Sequence, residues 1–253
     1  MPIPIGDDNS DRDSTPVINY LLIALNIFVF VYWQQFGFNV PVSFAYAAVP
    51  AEILTGNDII TESRILTDPY TGQDFELPGL QLTPVPVFLT LITSMFLHGG
   101  FGHLFGNMLY LWICGDNLEH QMGHLRYLLF YLLTGILAGL AHVFSTYFLG
   151  QNLLIPSLGA SGAISGVLGG YILMFPTRSI HMWFLLFTIR VPALIVVGLW
   201  FVFQVMNGLG TLGGQEAGGV AYAAHIGGFI AGLLLVKRFV KPAVAVRPRS
   251  YRR

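Results

Sequence analysis

The chain has 253 residues and a formal net charge of −1; 54% of its residues are hydrophobic, only 10% are charged, and the mean hydropathy is +0.66. These values exclude a soluble domain of this size and point to a polytopic membrane protein. The near-neutral charge gives no footprint for nucleic acid, and the single cysteine, Cys114, excludes an internal disulfide and a cysteine metal cage.

In chain order, residues 1–16 are polar and acidic, lack the basic start of a cleaved signal peptide, and read as a short disordered tail. Val17 to Phe36 is a charge-free run of spanning length, the first expected helix. Gly37 to Thr83 turns polar and reads as a long external loop with DPYTG as a turn signal. Pro84 to Leu97 reads as a partly immersed loop helix that breaks at His98-Gly99-Gly100-Phe101-Gly102. Phe101 to Cys114 is the second expected span, followed by a polar connection from Gly115 to His120 and a third helix from Leu125 to Leu149.

The fourth span is PSLGASGAISGVLGGYILMF, Pro156 to Phe175, which is long enough to cross a bilayer as one helix and places Ser161 about a turn past its start. Ile180 to Ile189 reads as interfacial because Arg190 interrupts the apolar run, and Val191 to Met206 is the fifth helix. Gly208 to Gly219, with six glycines, reads as a flexible external loop, and Val220 to Val236 is the sixth helix. Six spans put eleven of the twelve Lys and Arg residues on one side, seven of them from Lys237 to Arg253, with Arg64 alone opposite. The positive-inside rule then places both termini in the cytoplasm. The expected organisation is a tail over 1–16, a six-helix membrane domain over 17–240 and a basic cytoplasmic tail over 241–253.

Taken alone, Ser161 reads as a packing residue, since small residues and serines are common where membrane helices touch. Direction changes that reading. Helices two, four and six all enter from the outside, so His98, His103, Asn107, Ser161 and His225 share one layer, within roughly 10 to 15 Å of the outer surface. Polar residues gathered at one depth suggest a hydrated pocket. Ala221, Ala224, Gly228 and Gly232 form a small-residue stripe on helix six, and Gly159, Gly162 and Gly166 supply a matching face on helix four, which would bring Ser161 and His225 into hydrogen-bond reach.

A serine becomes a nucleophile when a neutral imidazole accepts its proton. With Asp116, Glu119 and Glu216 assigned to loops or ends, no carboxylate lies inside a span to orient the histidine, and a Ser–His dyad is expected rather than a triad. The N-terminus of helix four, with His103 and Asn107 one turn apart on helix two, offers donors for an oxyanion. His142 reads as packed or water-facing.

Together, His98-(x4)-His103-(x3)-Asn107, Gly159-Ala160-Ser161-Gly162 and Ala224-His225-(x2)-Gly228-(x3)-Gly232 resemble the signature of rhomboid intramembrane serine proteases. The resemblance implies an all-α polytopic fold, a six-helix bundle with a long external loop between helices one and two. It implies Ser161 as nucleophile, His225 as general base, His103, Asn107 and the Ser161 N–H as oxyanion donors, and His98 as a supporting residue. It also implies single-span membrane-protein substrates in the lipid bilayer, with no metal, nucleotide or other cofactor. Two departures are visible: the external loop has no Trp-Arg pair, and Ala221 stands where glycine is frequent. By analogy the chain is a compact bacterial-type member of an inner membrane. The alternatives are a catalytically silent rhomboid-like protein that binds membrane clients and a channel or transporter; the latter would need polar groups through the inner half of the spans.

Overall fold

The computed structural model describes residues 3–67, 72–212 and 221–241. Most of the basic tail, most of DPYTG and the 213–219 part of the glycine-rich loop therefore lie outside the described residues.

The N-terminal segment does not trail free. Strand β1 (Ile3–Asp7) pairs antiparallel with β4 (Ser179–Phe184), which pairs with β5 (Phe187–Pro192). The stretch expected to lie at the interface is thus a hairpin. Its signal is the alternation that buries Ile180 and Met182 while His181 and Trp183 stay accessible, a period of two rather than 3.6. The protein is mostly helical, not wholly so.

Helix α1 (Val17–Phe28) continues through a π-helical turn over Val29–Trp33. The loop that follows has structure of its own. It contains α2 (Val40–Tyr46), α3 (Pro50–Thr55) and a hairpin of β2 (Arg64–Thr67) with β3 (Asp74–Leu77). A re-entrant piece comes next, a 3-10 turn at Val87–Leu89, α4 (Thr90–Thr93) and a second 3-10 turn at Ser94–Phe96. It meets α5 (Phe101–Met122) at 84°. The glycines at 99, 100 and 102 mark this break.

Helix α5 does not stop at Cys114. It runs through the expected polar connection, so Asp116 and Glu119 belong to the C-terminal part of a helix and not to a loop. The helix continues because the N-terminal segment satisfies its polar groups. Arg12 pairs with Asp116, and Asn117 Nδ2 donates to Asp7 Oδ2 and Asn9 Oδ1 at 2.7 and 2.9 Å. The Glu119 carboxylate accepts the backbone N–H groups of Ile18 and Asn19, which have no other cap on α1. Gly115 leaves room for two polar side chains: a Cβ there would stand 2.2 Å from Asn19 Oδ1 and 2.4 Å from Tyr127 Oη.

Helices α6 (His124–Phe148), α7 (Ser161–Met174), α8 (Ala193–Leu212) and α9 (Tyr222–Phe239) complete the bundle. Residues 208–212 are therefore helical, and the fifth helix is longer than expected. The core joins Leu111, Ile113 and Leu118 of α5 with Tyr127, Phe130 and Tyr131 of α6, Val167, Leu168 and Tyr171 of α7, and Phe229 and Val236 of α9. Among the described residues, α6 and the Ala193–Gly210 part of α8 are each long and apolar enough to cross a membrane, and the bent α4–α5 unit is a third if counted as one span. Helix α7 and the Val17–Trp33 unit are shorter apolar helices.

Candidate active site

Four elements deliver the site: the break before α5, α5 itself, the start of α7 and the first turn of α9. Ser161 is the first residue of α7, not a residue one turn inside a span. The preceding stretch is extended because it pairs with other backbone: Ser157 and Ala48 exchange N–H···O bonds at 2.8 and 3.0 Å, and the Gly159 N–H donates to the Ser94 carbonyl at 2.8 Å. Gly159 sits at φ +130°, a conformation that favours glycine. It therefore belongs to the loop and takes no part in helix packing.

Close contact between α7 and α9 comes from elsewhere in the two stripes. A Cβ on Gly228 would lie 2.2 Å from the Gly162 carbonyl oxygen, and one on Gly232 would lie 2.0 Å from that of Gly166. The Cα hydrogens of Gly162 and Gly166 face the other way, toward Ala138 and Thr134 of α6. Helix α7 is thus wedged between α6 and α9, at separations that only glycine permits.

That wedge brings His225 to Ser161. The imidazole Nε2 lies 2.7 Å from the Ser161 Oγ, within the hydrogen-bond reach expected from the stripes. On its other side, His225 Nδ1 lies 2.8 Å from Oε1 of Gln204 in α8. Trp200, one turn earlier on α8, places its ring centroid 6.0 Å from that of His225. Sequence reasoning sought a carboxylate and passed over Gln204. Its signal is a polar residue in the apolar run from Ala193 to Met206, and it is only 6% exposed.

His103 lies beside the serine. His103 Nδ1 accepts the Gly99 N–H at 3.3 Å, so a neutral His103 ring carries its proton on Nε2. That Nε2 faces the hollow left by the missing side chain of Gly159: a carbon there would be 2.8 Å from His103 Nε2 and 3.6 Å from Ser161 Oγ. The Nδ2 of Asn107 is buried without a protein partner, a donor left free, and the first turn of α7 has no side-chain cap. His98 is fully buried and stacks edge-on against His103 at 5.1 Å. Gln34 holds its backbone from α1's extension, accepting the His98 N–H at 2.8 Å and donating to its carbonyl at 3.0 Å. Gln34 is a second residue that sequence reasoning missed. Among the described residues, no group of three or more His, Cys, Asp or Glu side chains could hold a metal ion.

Ser161 Oγ thus meets a half-buried imidazole, with a free amide donor on Asn107 of α5. The Rhomboid domain family matches residues 86–242, which include every member of this cluster except Gln34. The chain belongs to the rhomboid family.

Among its relatives it is 35% identical over 156 residues to rhomboid protein 1, mitochondrial, of Saccharomyces cerevisiae, covering 61% of this chain and 43% of that one. It is 37% identical over 144 residues to rhomboid protease GluP of Bacillus subtilis, covering 56% of this chain and 24% of that protein. It is also 37% identical over 145 residues to RHOMBOID-like protein 4 of Arabidopsis thaliana, covering 57% and 32%. The chain spans less than half the length of these curated relatives. Rhomboids are membrane-embedded, and with one relative named as mitochondrial and another from a plant, the likeness does not single out a bacterial inner membrane. Helix α1 and the structured loop after it lie before the matched region.

Proposed function

We propose that this rhomboid is an intramembrane serine endopeptidase that cleaves a peptide bond in or near the transmembrane segment of single-span membrane proteins. The observation that carries the reading is the 2.7 Å contact between Ser161 Oγ and His225 Nε2. In the proposed reaction His225 Nε2 takes the Ser161 proton as Oγ attacks the scissile carbonyl carbon. His103 Nε2–H, Asn107 Nδ2–H and the Ser161 backbone N–H receive the oxyanion, with His98 supporting His103 from behind. The imidazolium returns its proton to the departing amine as the C–N bond breaks, and water repeats the sequence on the acyl-enzyme.

The membrane placement follows from helix length. Fourteen residues of α7 rise about 21 Å, against a hydrocarbon core of about 30 Å. With Arg178 just beyond its far end at the inner interface, Ser161 sits roughly 10 Å below the outer one. We take α1, the α4–α5 unit, α6, α7, α8 and α9 as six spans of a membrane domain over 17–240, with both termini cytoplasmic. Arg12, Arg126, Arg178 and Lys241 all make their contacts at one end of the bundle, which supports that orientation.

The test is cleavage of a fluorogenic transmembrane peptide by purified protein, wild type beside Ser161→Ala and His225→Ala. Cleavage by wild type alone is the expected result. A wild type that cuts no better than either variant overturns the protease reading in favour of a client-binding rhomboid-like protein.

A further inference from the structure

The general base is not held by α9 alone. Its second ring nitrogen faces Gln204 of α8, and an amide oxygen can only accept a hydrogen bond. A neutral imidazole has one N–H. If that proton sits on Nδ1 and points at Gln204 Oε1, Nε2 is left with a lone pair aimed at the Ser161 hydroxyl 2.7 Å away. The other tautomer would present N–H to the serine, and no base would exist.

We infer that Gln204 is the positioning residue of this site, selecting the Nδ1–H tautomer of His225 and fixing the ring plane. The inference rests on the protease reading above. Burial supports it: Gln204 is 6% exposed among apolar neighbours, where an amide without a partner is costly. The choice of an amide over a carboxylate has a physical reason. A carboxylate here would carry a full charge into the bilayer each time His225 is neutral, whereas the amide dipole accepts from Nδ1–H before and after proton transfer without an ion to desolvate. Trp200 backs the same ring, so both restraints on the base come from α8.

A consequence concerns α8. Its outer face exposes Leu194, Ile195, Leu199, Val202, Phe203 and Met206, and its inner face meets mainly α9. A displacement of α8 would withdraw Gln204 from His225, so the base is oriented only with α8 docked against α9.

The experiment compares wild type, Gln204→Met and Gln204→Glu as full-length protein in lipid, with the fluorogenic transmembrane peptide. Methionine keeps the volume and removes the acceptor; glutamate keeps an acceptor oxygen. Gln204→Met is expected to lower kcat about ten- to a hundredfold with KM unchanged, and Gln204→Glu to recover activity relative to Gln204→Met. In parallel, nitrogen-15 NMR of imidazole-labelled protein, with His225 assigned by its loss in His225→Ala, is expected to show Nδ1 protonated in wild type and a tautomer mixture in Gln204→Met.

A Gln204→Met variant within about twofold of wild-type kcat overturns the inference while leaving the protease reading intact. So does a wild-type spectrum with the proton on Nε2, a readout that does not depend on the Gln204 variants. Failure of wild-type cleavage strikes the protease reading instead, and the tautomer measurement still decides what Gln204 does to His225.

Discussion

Gly228 of α9 lies against the carbonyl oxygen of Gly162 in α7, the residue next to Ser161, so closely that a Cβ would stand 2.2 Å from that oxygen. Helix separation and the Ser161–His225 distance are therefore one quantity. Gly228→Val is expected to push α9 outward by about an ångström or more and to reduce kcat roughly a hundredfold, because near-attack geometry tolerates little displacement. Gly198 of α8 has nothing within 4 Å of where its Cβ would be, so Gly198→Ala is the matched control and should retain activity. The fluorogenic assay reads both, and a fully active Gly228→Val would dismiss this account of the contact.

Gly159→Ala addresses the oxyanion hollow. The added methyl would lie 2.8 Å from His103 Nε2, and the residue would have to hold φ +130°. Loss of one oxyanion donor costs about a hundred- to a thousandfold in kcat, and substrate binding away from the hollow leaves KM unchanged. Equal losses in Gly159→Ala and His103→Leu, with no further loss in the double variant, would identify the hollow as the shared target.

Glu119 ties the C-terminal end of α5 to the start of α1 through two charge-assisted hydrogen bonds at 2.9 and 2.7 Å, and it is only 2% exposed. Glu119→Ala leaves two helix N–H groups without acceptors and is expected to cost on the order of 2 kcal/mol. Thermal unfolding in detergent should show Glu119→Ala well below wild type, with Glu119→Gln, which keeps one acceptor oxygen, between them.

Asp7 gives a pH dependence outside the spans. Burial, only partly offset by the hydrogen bond from Tyr171, pushes its carboxyl from the ordinary 3.8 up to about 7. The folded state then binds a proton that the unfolded state releases across that window. Stability is full below about pH 4 and is lost progressively as pH rises toward 7. The N-terminal strand should loosen over the same range, read as faster hydrogen exchange of the Ile3–Asp7 amides after correction for intrinsic rates. Asp7→Asn should flatten the profile; a wild type already flat between about pH 4 and 7 would contradict the assignment.

The membrane class, the re-entrant break before Phe101, the start and end of α6, and the candidate residues His98, His103, Asn107, Ser161 and His225 were all legible in the sequence. Long apolar runs, glycine clusters and isolated polar residues in greasy surroundings are local signals, and the bilayer makes each of them costly unless used. Two of the errors have one cause. Asp116 and Glu119 looked like loop residues because their partners Arg12, Ile18 and Asn19 lie about a hundred positions away. The β1 strand looked like a tail because its mate, β4, lies across seven helices of sequence.

By itself the sequence determined the membrane class and which side chains are candidates for chemistry, because transfer energies and reactivities belong to residue types. Only the tertiary structure decided that Ser161 opens its helix rather than sitting inside it, since that depends on Ser157 pairing with Ala48 and on Gly159 seating under Ser94. It alone set Gln204 against His225, because the register between α8 and α9 is a property of packed helices and not of either helix read alone.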